Sequence, residues 1–315
     1  MKSKQEDIFR NISTNFGFIG LGEMGARIVQ NLLSKRVSVL AFDIDEEKKK
    51  KFSDKKFQFV TSPSELVQKV SVIFLCLPFS PQIEDVLFGK NGIIYGVKQN
   101  TVIIDMSTIN SKDAINFSLR LKEYNIDYCD CPISGLPQRA LEGTLTIMFG
   151  GNKKKYKQML PILELIGNYI IYCGNCGSGQ IMKTFNNVLY NINIAALSEI
   201  ISLASAVGLE PDALEKVFKS GSSSSFASTH FIPKMLRRKF TGDYSLNAGL
   251  KDITNVKNAI TDIPGDKPLL DGMIGIYNKA IKKGLGEKSK GALLQIYEEE
   301  FNVKVKYKTR NISGK

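Results

Sequence analysis

The chain is poor in the groups on which many catalytic sites depend. It has one histidine, His230, among 315 residues. A catalytic zinc site built mainly from histidines cannot be assembled from it. Any imidazole relay or triad must pass through that single residue. Its surroundings, SSSSFASTHFIPK, carry no recognisable catalytic pattern, so His230 reads as structural or loop-lining. Cysteine is also sparse. Five thiols (Cys76, Cys129, Cys131, Cys173 and Cys176) imply no disulfide framework and a reducing compartment. Cys173 and Cys176 form a CxxC, but no second pair lies at zinc-ribbon spacing, so both read as buried thiols and no metal site is expected. No uninterrupted apolar run reaches ~18 residues, so no membrane span is expected. The opening residues 1–15 are polar and carry Glu6 and Asp7, with no apolar core of the kind a secretory signal needs. A cytoplasmic location is expected. Lys2, Lys4 and Arg10 leave a mitochondrial leader as the weaker alternative.

What is present is an ordinary folding composition, 43% hydrophobic and 23% charged, at a length that suits two domains or one large one. The net charge of +12 suits anionic small ligands as well as nucleic acid. The run Lys48–Lys51 reads as a solvated helix face. Residues 16–178 alternate strand and helix signals. Strand candidates are Phe16–Gly20, Val37–Phe42, Val70–Leu77, Thr101–Asp105, Ile126–Cys131 and Leu145–Phe149. Ser62, Pro63 and Glu65 form a helix start, with Ser62 as N-cap and Glu65 completing a capping box. Continuously apolar strands between helices predict an α/β fold with a parallel sheet covered on both faces. From Gln180 to Val207 there is neither glycine nor proline, and apolar residues recur at helical spacing. A helix of about 28 residues would span ~42 Å, a length that suits a connector. An all-helical domain over residues 179–302 is expected to follow the first, with polar tails at 1–15 and 303–315.

The first strand runs into Gly20-Leu21-Gly22-Glu23-Met24-Gly25, a GxGxxG that follows a strand and opens a helix. A second strand ends in Asp43, 23 residues after Gly20. This is the dinucleotide fingerprint in its required context. Gly20 permits the tight turn, Gly22 admits the pyrophosphate, Gly25 lets helix and strand pack, and Asp43 receives ribose hydroxyls. Asp43 would repel a 2′-phosphate, so NAD is expected over NADP. Lys48–Lys51 could instead bend toward that phosphate. None of the eleven tyrosines has lysine four residues on, which excludes the Tyr-x-x-x-Lys mechanism. A lysine or a carboxylate is left as the acid–base group.

Four stretches, in order, resemble the β-hydroxyacid dehydrogenase family, which includes 3-hydroxyisobutyrate dehydrogenase and semialdehyde reductases. They are FGFIGLGEMG, CPISGLPQRALEGTLTIMFGG (Cys131–Gly151), GSGQIMKTFNN (Gly177–Asn187), and Leu250-Lys251-Asp252. Asp105–Thr108 and Leu77-Pro78 also match. The resemblance implies a Rossmann-type domain, a long connector helix and an all-α C-terminal domain. It implies that Lys183 is catalytic, that Ser134, Gly135 and Asn187 bind substrate, and that Leu77, Pro78, Gln82, Thr108 and Lys251 contact the cofactor. Such a lysine can serve both directions if desolvation lowers its pKa toward neutrality. Leu136 departs from the family's Ser-Gly-Gly; a leucine cannot take all glycine backbone conformations and would narrow the pocket. The expected reaction interconverts a small 3-hydroxy acid and its semialdehyde, with a small carboxylate as substrate and a homo-oligomer as the assembly. Two rivals are a 6-phosphogluconate dehydrogenase-like activity, whose helical domain is larger, and a non-catalytic NAD-binding protein whose basic surface contacts nucleic acid or protein. The presence of both Lys183 and Asn187 argues against the second, and neither nucleic acid nor membrane is expected as a partner.

Overall fold

The computed structural model describes residues 15–97, 100–242 and 244–307. The chain divides into two compact units between Lys183 and Thr184.

The first unit is built on β1 (Asn15–Ile19), β2 (Ser38–Phe42), β3 (Phe57–Phe59), β4 (Val72–Leu75), β5 (Val102–Asp105) and β6 (Asp127–Asp130). These six lie parallel in the order β3-β2-β1-β4-β5-β6. The order reverses between β1 and β4, so the carboxyl ends of those two strands flank a topological switch point, where open α/β sheets bind ligands. The sheet is not parallel throughout. β8 (Leu145–Gly150) runs antiparallel to β6 and to the two-residue β7 (Ile133–Ser134), and β9 (Gly167–Gly174) then pairs parallel with β8.

The apolar strands bury both faces, as their lack of alternation requires. Phe16, Phe18, Val39, Ala41, Phe74 and Ile104 face one core. Ile19, Leu40, Ile73, Leu75 and Ile103 face the other. Each of the larger side chains among these, the Phe, Ile, Leu and Val, contributes roughly 1.5–3 kcal/mol of burial. The covering helices are α1 (Glu23–Ser34), α2 (Pro63–Val67), α3 (Ser80–Phe88), α4 (Ser111–Lys122), α5 (Pro137–Glu142) and α6 (Lys153–Leu163). Ser62 caps α2 by accepting from Glu65 N at 3.1 Å, with Pro63 in the first turn. The reciprocal half of the expected capping box is displaced. The Glu65 carboxylate receives the Thr61 N–H and hydroxyl instead, at 2.9 and 2.8 Å.

α7 (Ser178–Ala206) is a single helix of 29 residues, and the division between the units falls within it. It is long and apolar enough to cross a membrane by length and composition, and 39% of its most apolar stretch is buried. The second unit continues with α8 (Pro211–Ser220), α9 (Phe226–Leu236), α10 (Leu246–Ala259), α11 (Pro268–Lys282) and α12 (Leu294–Glu300). Its core gathers Ile194, Phe231, Met235, Ile253, Tyr277 and Leu293. Residues 303–307, expected as part of a polar tail, are packed on this unit. Val305 is fully buried and its N–H is held by the buried Glu298 carboxylate at 2.7 Å. Arg238 reaches the same carboxylate at 2.5 Å. Tyr307 donates its N–H to the Leu236 carbonyl and its hydroxyl to Glu215. The segment forms no strand, since the Val303 N–H donates to the Glu298 carbonyl and the Val305 and Tyr307 N–H groups are taken up as above. The remaining tail residues, 1–14 and 308–315, lie outside the described residues.

Candidate active site

The three glycines of the first turn have three different surroundings. Gly20 has φ +98°, and a Cβ there would fall 2.3 Å from the Cys76 carbonyl oxygen. Gly25 is pressed against the same turn, since a Cβ would lie 2.0 Å from the Gly20 carbonyl oxygen and 2.9 Å from the Phe18 ring. Gly22 faces open space, with nothing within 4 Å of its Cβ position. Gly22 is also the residue that precedes α1, and Glu23 and Met24 form that helix's first turn, beside Gly25. The arrangement is a tight turn, a bare backbone and a helix N-terminus, which suits a pyrophosphate. The residues present therefore fit a dinucleotide.

Asp43 lies just beyond the end of β2 and is buried. Its Oδ2 accepts the Leu21 N–H at 2.6 Å, which ties the acid to the glycine turn. Its Oδ1 accepts the Asp45 N–H at 2.9 Å. Lys48 then sits on both oxygens, at 3.0 and 3.1 Å. This corrects the reading of Lys48–Lys51 as a wholly solvated face. Lys49 and Lys50 do pair with exposed Glu46 and Glu47, but Lys48 pairs with the buried Asp43 carboxylate.

The loops after β4 and β5 come next along the same strand ends. The Leu77 N–H donates to Ser107 Oγ at 2.9 Å, so the Leu77-Pro78 and Ser107-Thr108 loops are joined. Leu77 and Thr108 are half-buried, and Pro78 and Gln82 are exposed. Beneath them Asp105 accepts from Ser107 N at 2.9 Å and from the Tyr128 hydroxyl at 2.5 Å. Burial raises the Asp105 carboxyl above its ordinary range despite these bonds, and burial also raises the Tyr128 phenol.

Ser134 ends β7, Gly135 follows it before α5, and both are half-buried. Gly135 has φ +147°, and a Cβ there would meet Leu145 at 2.8 Å, so glycine is required. Leu136 has φ −83° and ψ 167°, extended backbone open to any residue. The departure from Ser-Gly-Gly therefore costs no strain. It places a leucine side chain where the family's loop often has none.

Lys183 stands in the second turn of α7 and is half-buried. The first turn is anchored by two buried polar side chains, Asp130 and Gln180, that composition and motif reading do not single out. Within the second unit, Asn187 donates Nδ2 to Asp252 Oδ2 at 3.0 Å. This joins α7 to the α10 helix that bears the Lys251-Asp252 pair. Lys251 itself is exposed, and Asp252 is buried. Burial, with Asp252 nearby, raises the Tyr244 phenol.

The remaining candidates fall outside this chemistry. His230 stacks on Phe226 with ring centroids 5.5 Å apart and lies 2.8 Å from Lys234 Nζ. Cys173 and Cys176 are half-buried rather than buried, and burial pushes the Cys176 thiol up to about 12, so it is not a thiolate at neutral pH. Among the described residues no group of three His, Cys, Asp or Glu side chains could hold a metal ion.

Comparison with known proteins bears on the family and the cofactor. Residues 15–174 match the NAD binding domain of 6-phosphogluconate dehydrogenase. Residues 177–297 match the family described as NAD-binding of NADP-dependent 3-hydroxyisobutyrate dehydrogenase. A probable mitochondrial 3-hydroxyisobutyrate dehydrogenase of Dictyostelium discoideum is 29% identical, over 93% of this chain and 96% of its own length. A 2-(hydroxymethyl)glutarate dehydrogenase of Eubacterium barkeri is 30% identical, over 93% of this chain and 98% of its own. The crystal structure of a 3-hydroxyisobutyrate dehydrogenase from Salmonella typhimurium superposes with a TM-score of 0.80 at 22% identity, covering 90% of this chain and 99% of that one. The chain belongs to the β-hydroxyacid dehydrogenase family, of the 3-hydroxyisobutyrate dehydrogenase type, and is an NAD(P)-dependent oxidoreductase.

Proposed function

We propose that the protein interconverts a small 3-hydroxy acid and its semialdehyde, with Lys183 as the acid–base group. In the oxidative direction the carbinol carbon gives up a hydride and its hydroxyl gives up a proton. The nicotinamide cofactor, when bound, accepts the hydride. Lys183 takes the proton from the hydroxyl, and in the reductive direction returns it to the developing alkoxide. Ser134 and the Gly135 backbone hold the substrate carboxylate. Asn187, four residues after Lys183 on α7 and fixed by Asp252, orients the substrate. The observation that carries this reading is the bare backbone of Gly22 between the tight turn at Gly20 and the packed Gly25, at the β1–β4 switch point.

NAD(H) is the favoured cofactor, because the Asp43 carboxylate is buried beside the turn and a 2′-phosphate would have to approach it. Lys48 neutralises part of that repulsion, so the preference is narrow rather than absolute. The assembly is a homo-oligomer. Supporting this, α7 and the residues that follow expose Leu189, Ile200, Leu203, Val207 and Leu209, more apolar surface than a solvated helix needs.

The test is a panel of short hydroxy acids and semialdehydes run with both cofactors. The reading expects turnover on 3-hydroxy acids carrying a free carboxylate, with none on their methyl esters. Equal rates on acid and ester would remove Ser134 and Gly135 from the site.

A further inference from the structure

Asp130 closes β6 and is fully buried. Its two oxygens are used separately at the start of α7. Oδ1 accepts the Gly177 N–H at 2.7 Å, and Oδ2 accepts the Gln180 N–H at 2.8 Å. The backbone is pressed around this carboxylate. A Cβ on Gly150 would fall 2.4 Å from Oδ1, and one on Gly179 would fall 2.8 Å from Oδ2 and 2.7 Å from the Asp130 carbonyl oxygen. Gln180 is also fully buried and continues the brace. Its amide donates to the Ser107 carbonyl at 2.8 Å and accepts the Ile109 N–H at 3.1 Å. Ser107 in turn holds Leu77. The first turn of α7 is thus tied to the end of β6 and to both loops that flank the dinucleotide site. Lys183 follows Gln180 by three residues, about 4.5 Å along the helix axis.

We infer that Asp130 is a positioning residue. Through the N–H groups of Gly177 and Gln180 it fixes the depth and rotation of the first turn of α7, and so fixes where the Lys183 amine stands. The inference rests on the reading of Lys183 as the acid–base group. A buried carboxylate is a costly way to secure a helix end, since a neutral side chain could cap it without desolvating a charge. Burial is the main cause that pushes this carboxyl up to about 6, against the pull of its two N–H bonds. What the carboxylate supplies and an amide does not is two acceptors aimed at two N–H groups of one turn.

The test is Asp130→Asn in the full chain. Asparagine keeps the shape but turns an NH2 toward one of the two N–H donors. A misplacement of about 1 Å at a reacting group costs roughly 10²-fold, so kcat is expected to fall about 10- to 100-fold. NADH affinity and KM for the hydroxy acid should stay within about threefold. A kcat within twofold of wild type overturns the inference. So does a fall in kcat that is matched by lost cofactor binding and lost folded protein, which a merely structural role requires. If Asp130→Asn proves insoluble, Gln180→Met keeps the volume, removes the second half of the brace and carries the same expected split and the same overturning result. Lys183→Ala run alongside separates the two claims. An inactive Lys183→Ala beside a fully active Asp130→Asn sinks only the inference, whereas an active Lys183→Ala sinks the lysine reading and the inference with it.

Discussion

At the scale of single residues, Gly22 and Gly25 belong to one motif and answer to different constraints. A methyl group on Gly22 meets no protein atom, whereas one on Gly25 meets the Gly20 carbonyl. Gly22→Ala is therefore expected to leave the melting temperature unchanged and weaken NADH binding at least tenfold, while Gly25→Ala lowers both. Thermal melts and NADH titrations on the two variants check this. Lys48 is the second case. Removing it leaves the Asp43 charge unneutralised, so Lys48→Ala should widen the preference for NAD(H) over NADP(H), measured as the ratio of kcat/KM values. Asp43→Ala should narrow it. An unchanged ratio in Lys48→Ala would mean that the ion pair has no part in cofactor choice. The third case is Asp130, raised from 3.8 to about 6 mainly by burial. The folded chain therefore binds this proton more tightly than the unfolded chain. The stability that the proton confers is fully present below about pH 4 and is lost as pH rises to about 6. Asp130→Asn lacks this term, so its stability relative to wild type should improve between pH 4 and pH 7. Urea unfolding at the two pH values reads the difference, and a constant gap would contradict the raised value.

At the scale of elements, the long runs were legible and the short pieces were not. α7 could be read from the glycine- and proline-free stretch Gln180–Val207, and the structure places it at Ser178–Ala206. β3 has three residues and pairs with β2 alone, so FQF carries too little periodicity to stand out. β9 is eight residues long but alternates weakly, and its GNYIIYCG runs straight into the turn before α7. The antiparallel β7–β8 edge was hidden for another reason. The sequence Ile133–Ser134 belongs to the stretch that resembles the family's substrate loop, and only its pairing to Thr146 and Ile147 makes it a strand. The chain's last described segment read as a polar tail because some of its partners are distant in sequence, such as Glu215, which accepts the Tyr307 hydroxyl from 92 residues away. Val305 is buried by helices, and the Glu298 carboxylate holds its N–H. Truncation after Asn302 should therefore cost about 1–3 kcal/mol by uncovering apolar surface and leaving a buried carboxylate short of a donor. The kcat of the folded fraction should be retained, since the motif residues all precede the cut. A truncated chain that melts like wild type, or one that folds and does not turn over, would each contradict this.

At the scale of the whole molecule, the cofactor half of the site was legible because its residues sit close together in sequence and meet recognisable geometric demands. Gly20, Gly22, Gly25 and Asp43 are of this kind. Lys183, Asn187, Ser134 and Gly135 were named by resemblance, not by spacing alone. Asp130 and Gln180 were passed over because their roles lie in contacts made across about 50 and 70 residues, which no local pattern encodes. The central claim is that this fold performs hydride transfer with Lys183 moving the proton. It is tested most directly by measuring kcat and NADH fluorescence titration on the same folded Lys183→Ala sample. General acid–base catalysis contributes ~10²–10⁴-fold, so kcat should fall by at least about 10²-fold with NADH binding nearly unchanged, and Lys183→Arg should not restore it. A near-wild-type kcat in that sample would contradict the account and remove Lys183 from the mechanism.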